Sequence, residues 1–185
     1  MKIAESKVKL NSGVEILLKT PQVDDAENLL EFMRLMYSET DFMAKTAEQA
    51  QKISVEGERK FLENMILSPT ETMVAAYKDG KIIANCGINV YGLQKYSHRA
   101  TLGISVLKEY WSKGVGSALI EHTLNFAKEQ GIEQVELTTV SENARAISLY
   151  KKFGFRQTGI IPRAQNLGGG KYYDYIYMVK AFYET

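Results

Sequence analysis

The sequence predicts a mixed α+β fold, a central mixed sheet with helices on both faces. Three observations carry this. Two apolar runs flank an Asp79-Gly80 turn and are followed by a third strand-like run, which reads as an antiparallel meander. A long helical period begins at Gly114. From residue 134 onward strand and helix patterns alternate, and such a crossover favours parallel pairing. The chain of 185 residues is the size of one domain, and 45% apolar positions suffice for a core without disulfide or metal staples.

Composition excludes several classes. Only 3 Pro stand against 14 Gly in a strongly apolar chain, which argues against disorder. A net charge of +1 offers no bulk attraction for nucleic acid. No apolar run approaches the roughly 18 residues of a membrane span, and Met1–Ser6 lacks the apolar stretch of a signal peptide. The expected location is cytoplasmic. A single cysteine, Cys86, leaves no intrachain disulfide and no multi-cysteine metal site.

Taken in order, Val14–Leu18 reads as a first strand closed by Thr20-Pro21. Leu29, Phe32, Met33 and Met36 recur at helical offsets between Asp25 and Tyr37. Ser54 is placed to cap a second helix with Phe61, Leu62, Met65 and Ile66 as its apolar stripe. Residues 38–52 carry no clear period. Met73–Tyr77 and Ile82–Val90 form the hairpin, and His98–Leu107 is the next strand. Gly114–Gln130 is a helix, Gln134–Val140 a strand and Asn143–Lys152 a helix. Phe155–Ile161 and Tyr172–Val179 are closing strands, with Gly168-Gly169-Gly170 a flexible connection between them.

The stretch richest in chemistry runs from Ile104-Ser105-Val106 through Trp111-Ser112-Lys113-Gly114-Val115-Gly116-Ser117. A strand enters a turn with two glycines, and a helix starts there. Free N–H groups at a helix start attract anions, and glycine lets a phosphate approach the chain. Lys113 adds a charge and Ser117 a hydroxyl. The two glycines serve a plain tight turn equally well. A Rossmann site fits poorly, because Leu119 stands where its third small residue belongs and the motif follows an antiparallel strand.

Downstream lies Asn143-Ala144-Arg145-Ala146-Ile147-Ser148-Leu149-Tyr150, continuing to Phe153-Gly154-Phe155. Together with the Gly114/Gly116 turn this resembles the GNAT superfamily of acetyl-CoA-dependent N-acetyltransferases, over roughly residues 70–180. The family's Q/R-x-x-G-x-G/A turn is matched by Gly114 and Gly116. Its N-x-x-A-x-x-L-Y-x-x-x-G-F block is matched by Asn143, Ala146, Leu149, Tyr150, Gly154 and Phe155. Two departures stand out. The Gln/Arg position of the turn is Trp111, which removes a side-chain contact to the diphosphate. The Glu that ribosomal-protein alanine acetyltransferases carry five residues before the Asn is Thr138.

The resemblance implies one N-acetyltransferase domain over 1–185, with residues 14–66 on the substrate side. It implies acetyl-CoA as cosubstrate, no metal, and direct attack by an amine in a ternary complex. Ile104, Ser105 and Val106 would meet the thioester and residues 111–117 the diphosphate. Asn143 would bond the pantetheine arm or the residues after the strand, and it suits the helix N-cap equally. Tyr150 would protonate the leaving thiolate. The base stays open between Glu39, Asp41, Glu136 (which shares a strand face with Thr138) and a water chain. The acceptor stays open between a small amine and a protein N-terminus.

Charge runs the same way: Pro21–Glu71 holds 11 acidic and 5 basic residues, Lys78–Lys113 holds 6 basic and 2 acidic. An acidic substrate half and a basic cofactor half fit these counts, as do ordinary solvated faces. Cys86 reads as a small core residue. The Tyr172–Tyr175 run is similar to the closing strand that shapes the acceptor pocket in several branches of the family; a homodimer contact would look the same. A non-catalytic acyl-CoA-binding module is the alternative function.

Overall fold

The computed structural model describes residues 1–183. Eight strands form one sheet: β1 (Ser6–Lys9), β2 (Glu15–Lys19), β3 (Glu71–Lys78), β4 (Lys81–Val90), β5 (Arg99–Val106), β6 (Gln134–Val140), β7 (Arg156–Gly168) and β8 (Lys171–Ala181). Their spatial order is β1-β2-β3-β4-β5-β6-β8-β7. Every neighbouring pair is antiparallel except β5–β6. The helices are α1 (Ala26–Glu39), α2 (Ala47–Gln51), α3 (Val55–Leu67), α4 (Val115–Glu129) and α5 (Ala144–Lys152).

Local chemistry accounts for the boundaries. Asp79 and Gly80 both adopt positive φ (50° and 79°), as the two-residue turn joining β3 to β4 requires. Ser54 caps α3 by accepting the Gly57 N–H at 3.0 Å. Strands β3 and β4 are buried at consecutive positions, Val74–Tyr77 and Ile82–Ala84, so both sheet faces need cover. α4 packs on β3, β4 and β5, while α1 contacts β4 and α3 contacts β3.

Several expectations change. β1 precedes the strand expected first. With two lysines and a serine among four residues it lacks an apolar run, and it lies at the sheet edge on β2. α2 lies in the stretch without a clear period, capped by Thr46 and Gln49 reciprocally. On α3 the buried stripe is Glu58, Leu62 and Met65, while Phe61 is exposed. Gly168-Gly169-Gly170 is a hairpin turn joining paired strands; three successive positive φ values (81°, 59° and 80°) explain why only glycine stands there. The β6–α5–β7 crossover does not pair its two strands, because β8 inserts between them.

Candidate active site

Strands β5 and β6 are in register only from Arg99 opposite Gln134 to Thr101 opposite Glu136. Both run on, to Val106 and Val140, with no further pairing between them, so a gap opens beyond that point. Leu107 donates its N–H to Ile83 on the β4 side at 3.0 Å, and the β4–β5 register is regular. Main-chain groups alternate along a strand, so those of Ile104 and Val106 face the gap and those of Ser105 face β4. The Val106 carbonyl accepts the Trp111 indole N–H at 2.8 Å, which anchors the turn leading into α4.

In that turn Ser112 and Gly114 adopt left-handed φ (59° and 92°), and the Gly114 carbonyl accepts the Ala118 N–H at 3.0 Å. The N–H groups of Val115, Gly116 and Ser117 therefore have no partner within the helix, the ordinary condition of a first turn. A Cβ on Gly116 would sit 3.1 Å from Leu149 Cδ2, so glycine here lets α5 close onto α4. Lys113 holds its ammonium 5.4 Å from the Tyr110 ring centroid. Arg145, in the first turn of α5, lays its guanidinium 4.2 Å from the Trp111 ring centroid. The sequence alone does not say how the lost Gln/Arg at Trp111 is made good; the structure puts a cation over that same side chain, from the other motif.

Three neighbouring hollows share walls. A cleft of about 130 Å³ lies at the glycine turn, bounded by Trp111, Ser112, Gly114, Gly116, Ser117 and Arg145. It shares Val106, Trp111, Arg145 and Leu149 with a passage of about 120 Å³ between the end of β5 and α5. That passage shares Ile104, Ser105, Asn143 and Tyr150 with a cavity of about 430 Å³ on the face of β6. Of the residues expected to meet the coenzyme, Lys113 and Val115 alone bound none of the three; Val115 is fully buried beneath the turn.

Asn143 caps α5, its Oδ1 accepting the Ala146 N–H at 3.2 Å. Further along the helix, Tyr150 is buried against Phe155 in an edge-to-face pair 5.8 Å apart. Its hydroxyl has no hydrogen-bond partner among the described residues, and the residue borders the junction of passage and cavity. Burial raises its pKa, with a smaller contribution from Cys86, so it stays protonated at neutral pH. Cys86 is fully buried, and its thiol is pushed up to about 12 by burial, which fits a core residue and no nucleophile.

The large cavity is organised around Glu136, whose side chain is 1% exposed. Glu136 accepts hydrogen bonds from Arg99 Nε, from Gln134 Nε2 at 3.0 Å, from Tyr91 Oη at 3.3 Å and from Tyr177 Oη. Burial pushes its carboxyl up, but the bonds from Arg99, Tyr177 and Gln134 outweigh that and hold it below the ordinary range. Tyr177 moves the other way, up to about 12, through burial and its bond to Glu136. Glu136 is the one of the three candidate carboxylates on the cavity wall. Glu39 instead accepts the Lys108 N–H at 2.7 Å, and Asp41 is exposed.

Phe42 and Met43 close the cavity from the α1–α2 loop, held by Gln165 Nε2, which donates to the carbonyls of Asp41 (2.9 Å) and Met43 (3.1 Å). Sequence reasoning missed Tyr91, Arg99 and Tyr177. The signal for Tyr177 was present: it follows Tyr173 and Tyr175 at the spacing that places them on one strand face. Tyr91 and Arg99 reach Glu136 only through the β5–β6 pairing, which no local pattern reveals.

Comparison with known proteins gives the same assignment. The Acetyltransferase (GNAT) family model matches residues 31–155. An L-amino acid N-acetyltransferase of Escherichia coli (strain K12) is 31% identical over 119 residues, covering 64% of this chain and 73% of that protein. A thialysine N-epsilon-acetyltransferase of Sus scrofa is 26% identical over 150 residues, 76% of this chain and 84% of that one. Among solved structures, a GNAT-family acetyltransferase from Streptococcus pneumoniae superposes with a TM-score of 0.84 at 29% identity, over 90% of this chain and 99% of that one. The structure of yncA from Salmonella typhimurium with its cofactor acetyl-CoA shares the fold (TM-score 0.78, 15% identity, 92% and 95% covered).

The chain belongs to the GNAT acetyltransferase family. It is an acetyl-CoA-dependent N-acetyltransferase, so the alternative of a purely binding module falls away.

Proposed function

We propose that this enzyme acetylates a small primary amine in a ternary complex, with Tyr150 as the proton donor to the leaving sulfur. The observation that carries the reading is the series of neighbouring hollows with shared walls, from the α4 N-terminus, past Ile104 and Tyr150, to the Glu136 cavity.

The residues present suit the coenzyme. Unpaired N–H groups at the start of α4 and the Arg145 guanidinium would hold the diphosphate, and Gly116 keeps that cradle free of a side chain. Main-chain groups of Ile104 and Val106 on the open side of β5 would pair with the amide-bearing arm, leaving the Ile104 N–H for the thioester oxygen. Acetyl-CoA supplies an activated acyl group when bound. Burial keeps Tyr150 protonated at neutral pH, so it would hold a proton to give to the thiolate as the carbon–sulfur bond breaks.

Glu136 already accepts four hydrogen bonds and has a lowered pKa, which makes it a poor base. Its role is to fix Tyr91 and Tyr177, and the ammonium proton leaves to water. The kcat/KM profile should then rise with pH toward the amine's own pKa, about 10 for an alkylamine, without a carboxylate limb.

Tyr150→Phe tests the assignment. Loss of the proton donor should lower kcat by about 10²–10⁴-fold and leave acetyl-CoA affinity nearly unchanged, since positioned acid catalysis contributes that much. Unchanged thiol release in this variant removes Tyr150 from the mechanism.

A further inference from the structure

At the edge of the sheet, β7 is exposed along its whole length except at Gly159 and Gln165, which are half-buried. A polar side chain tucked in on a solvated strand needs partners, and Gln165 finds them in the α1–α2 loop and on β8. Its Nε2 donates to the Asp41 carbonyl at 2.9 Å and to the Met43 carbonyl at 3.1 Å, and its Oε1 accepts the Tyr175 hydroxyl at 3.4 Å. Carbonyl oxygens only accept, so the amide has one consistent orientation. The two carbonyls flank Phe42, whose ring centroid lies 5.9 Å from that of Tyr173. Tyr173 is the residue opposite Gln165 in the β7–β8 register.

A bulge in β7 brings the amide there. Ile161 faces Tyr175 and Gln165 faces Tyr173, so Pro162, Arg163 and Ala164 together stand opposite Asp174. A regular ladder continued from Ile161 would set Gln165 opposite Lys171; the bulge draws it back to Tyr173, nearer to Tyr175 on the cavity wall. Bulges re-aim side chains at sheet edges and beside active sites. Pro162 has no N–H to offer a ladder. Arg163 takes a left-handed φ of 51°, a strained conformation for a residue with a side chain. Two contacts hold it: its N–H donates to Asp174 Oδ1 at 2.7 Å, and its guanidinium lies 4.0 Å from the Tyr172 ring centroid.

We propose that Gln165 is a positioning residue that sets the size of the acceptor. It borders none of the three hollows itself and acts through Phe42 and Met43, which line both the passage and the large cavity. Residues 40–46 form no helix or strand, so the loop has no backbone ladder of its own to keep these two side chains in place. The Gln165 amide fixes where their wall stands, and with it how bulky an amine reaches the thioester. The inference rests on the small-amine reading and adds to it the residue that limits substrate size.

Three variants test it. Gln165→Ala removes the latch, Gln165→Glu keeps its shape but replaces the donor with an acceptor, and Asp174→Ala loosens the bulge with Gln165 still present. Thiol release from acetyl-CoA is measured with two small and bulky pairs, propylamine with phenethylamine and L-alanine with L-phenylalanine. Calorimetry reads acetyl-CoA affinity, and trypsin cleavage after Lys45, an exposed residue of the loop, reads loop freedom without ligand. Both Gln165 variants should raise KM for the small acceptors by roughly five- to tenfold, the scale of two lost hydrogen bonds, with kcat and acetyl-CoA affinity nearly unchanged. Preference for the bulky member of a pair should rise, and cleavage after Lys45 should accelerate. Asp174→Ala should move the same readouts in the same direction, by less. Wild-type KM, preference and cleavage in Gln165→Ala overturn the proposal and leave the transferase reading standing. So does Gln165→Glu behaving as wild type, or a loss confined to kcat or to acetyl-CoA affinity. Thiol release from no acceptor with the unaltered enzyme overturns both.

Discussion

At the scale of single residues, the site turns on substitutions that elsewhere would be unremarkable. Trp111 stands where the family resemblance calls for Gln or Arg, and its indole bridges to the Val106 carbonyl while carrying Arg145 on its face. A guanidinium on an aromatic ring keeps its N–H groups at the edge free for phosphate. Arg145→Ala should therefore weaken acetyl-CoA binding by about tenfold, one charge-assisted contact being worth roughly 1.5–3 kcal/mol before solvent screening. Affinity for S-acetylpantetheine, which lacks the diphosphate, should not change. Calorimetry with both donors reads the difference, and equal losses would mark Arg145 as a packing residue. The glycine pair was legible in the sequence because only the backbone matters there. Arg145 was not, because its partner is 34 positions away and belongs to the other motif.

At the scale of elements, the decisive feature is where β5 and β6 part. The strands themselves could be read from their apolar runs, and the Asp79-Gly80 hairpin from turn chemistry. Their divergence could not, since no local pattern marks where the β5–β6 pairing stops at Thr101 and Glu136. α5 is short, and its first turn is held by Asn143. Asn143→Ala should destabilise the fold by about 1 kcal/mol and lower kcat, because the cap sets the rise of the helix that aims Tyr150. Asn143→Asp keeps an accepting oxygen and should restore stability. If the Asp variant regains stability without regaining kcat, the amide Nδ2 acts on substrate directly; chemical denaturation beside steady-state kinetics distinguishes the two. The α1–α2 loop shows the opposite limit: its sequence has no period, yet Gln165 from β7 pins it over the cavity. Long-range side-chain bonds to loop carbonyls leave no local trace.

At the scale of the molecule, two buried carboxyls give opposite pH dependences. Glu136 has a lowered folded-state pKa, so its contribution is fully present above the ordinary glutamate value and is lost as pH falls through the folded one. Glu58, a buried residue of α3 with Oε1 unpartnered, has its pKa raised by burial, only partly offset by Lys45. Its ionisation penalty appears as pH rises from the ordinary glutamate value to the raised one. Glu58→Gln should therefore raise Tm at neutral pH and lose that advantage near pH 4. Glu136→Gln should cost about 2–3 kcal/mol at neutral pH, since it leaves the partly exposed Arg99 unpaired, and less under acid conditions. Thermal scans across pH would show the two variants converging on the wild type from opposite sides; parallel displacement at every pH would contradict both assignments.

The proposed chemistry depends on a coenzyme that runs from the α4 amides to Tyr150 beside the opening between β5 and β6. A crystal structure with coenzyme A would show whether the ligand takes that course. The diphosphate should lie against residues 114–117 with Arg145 beside it, the arm along Ile104 and Val106, and the sulfur next to the Tyr150 hydroxyl. Ordered coenzyme at another surface, with the α4 turn bare, would refute the assignment.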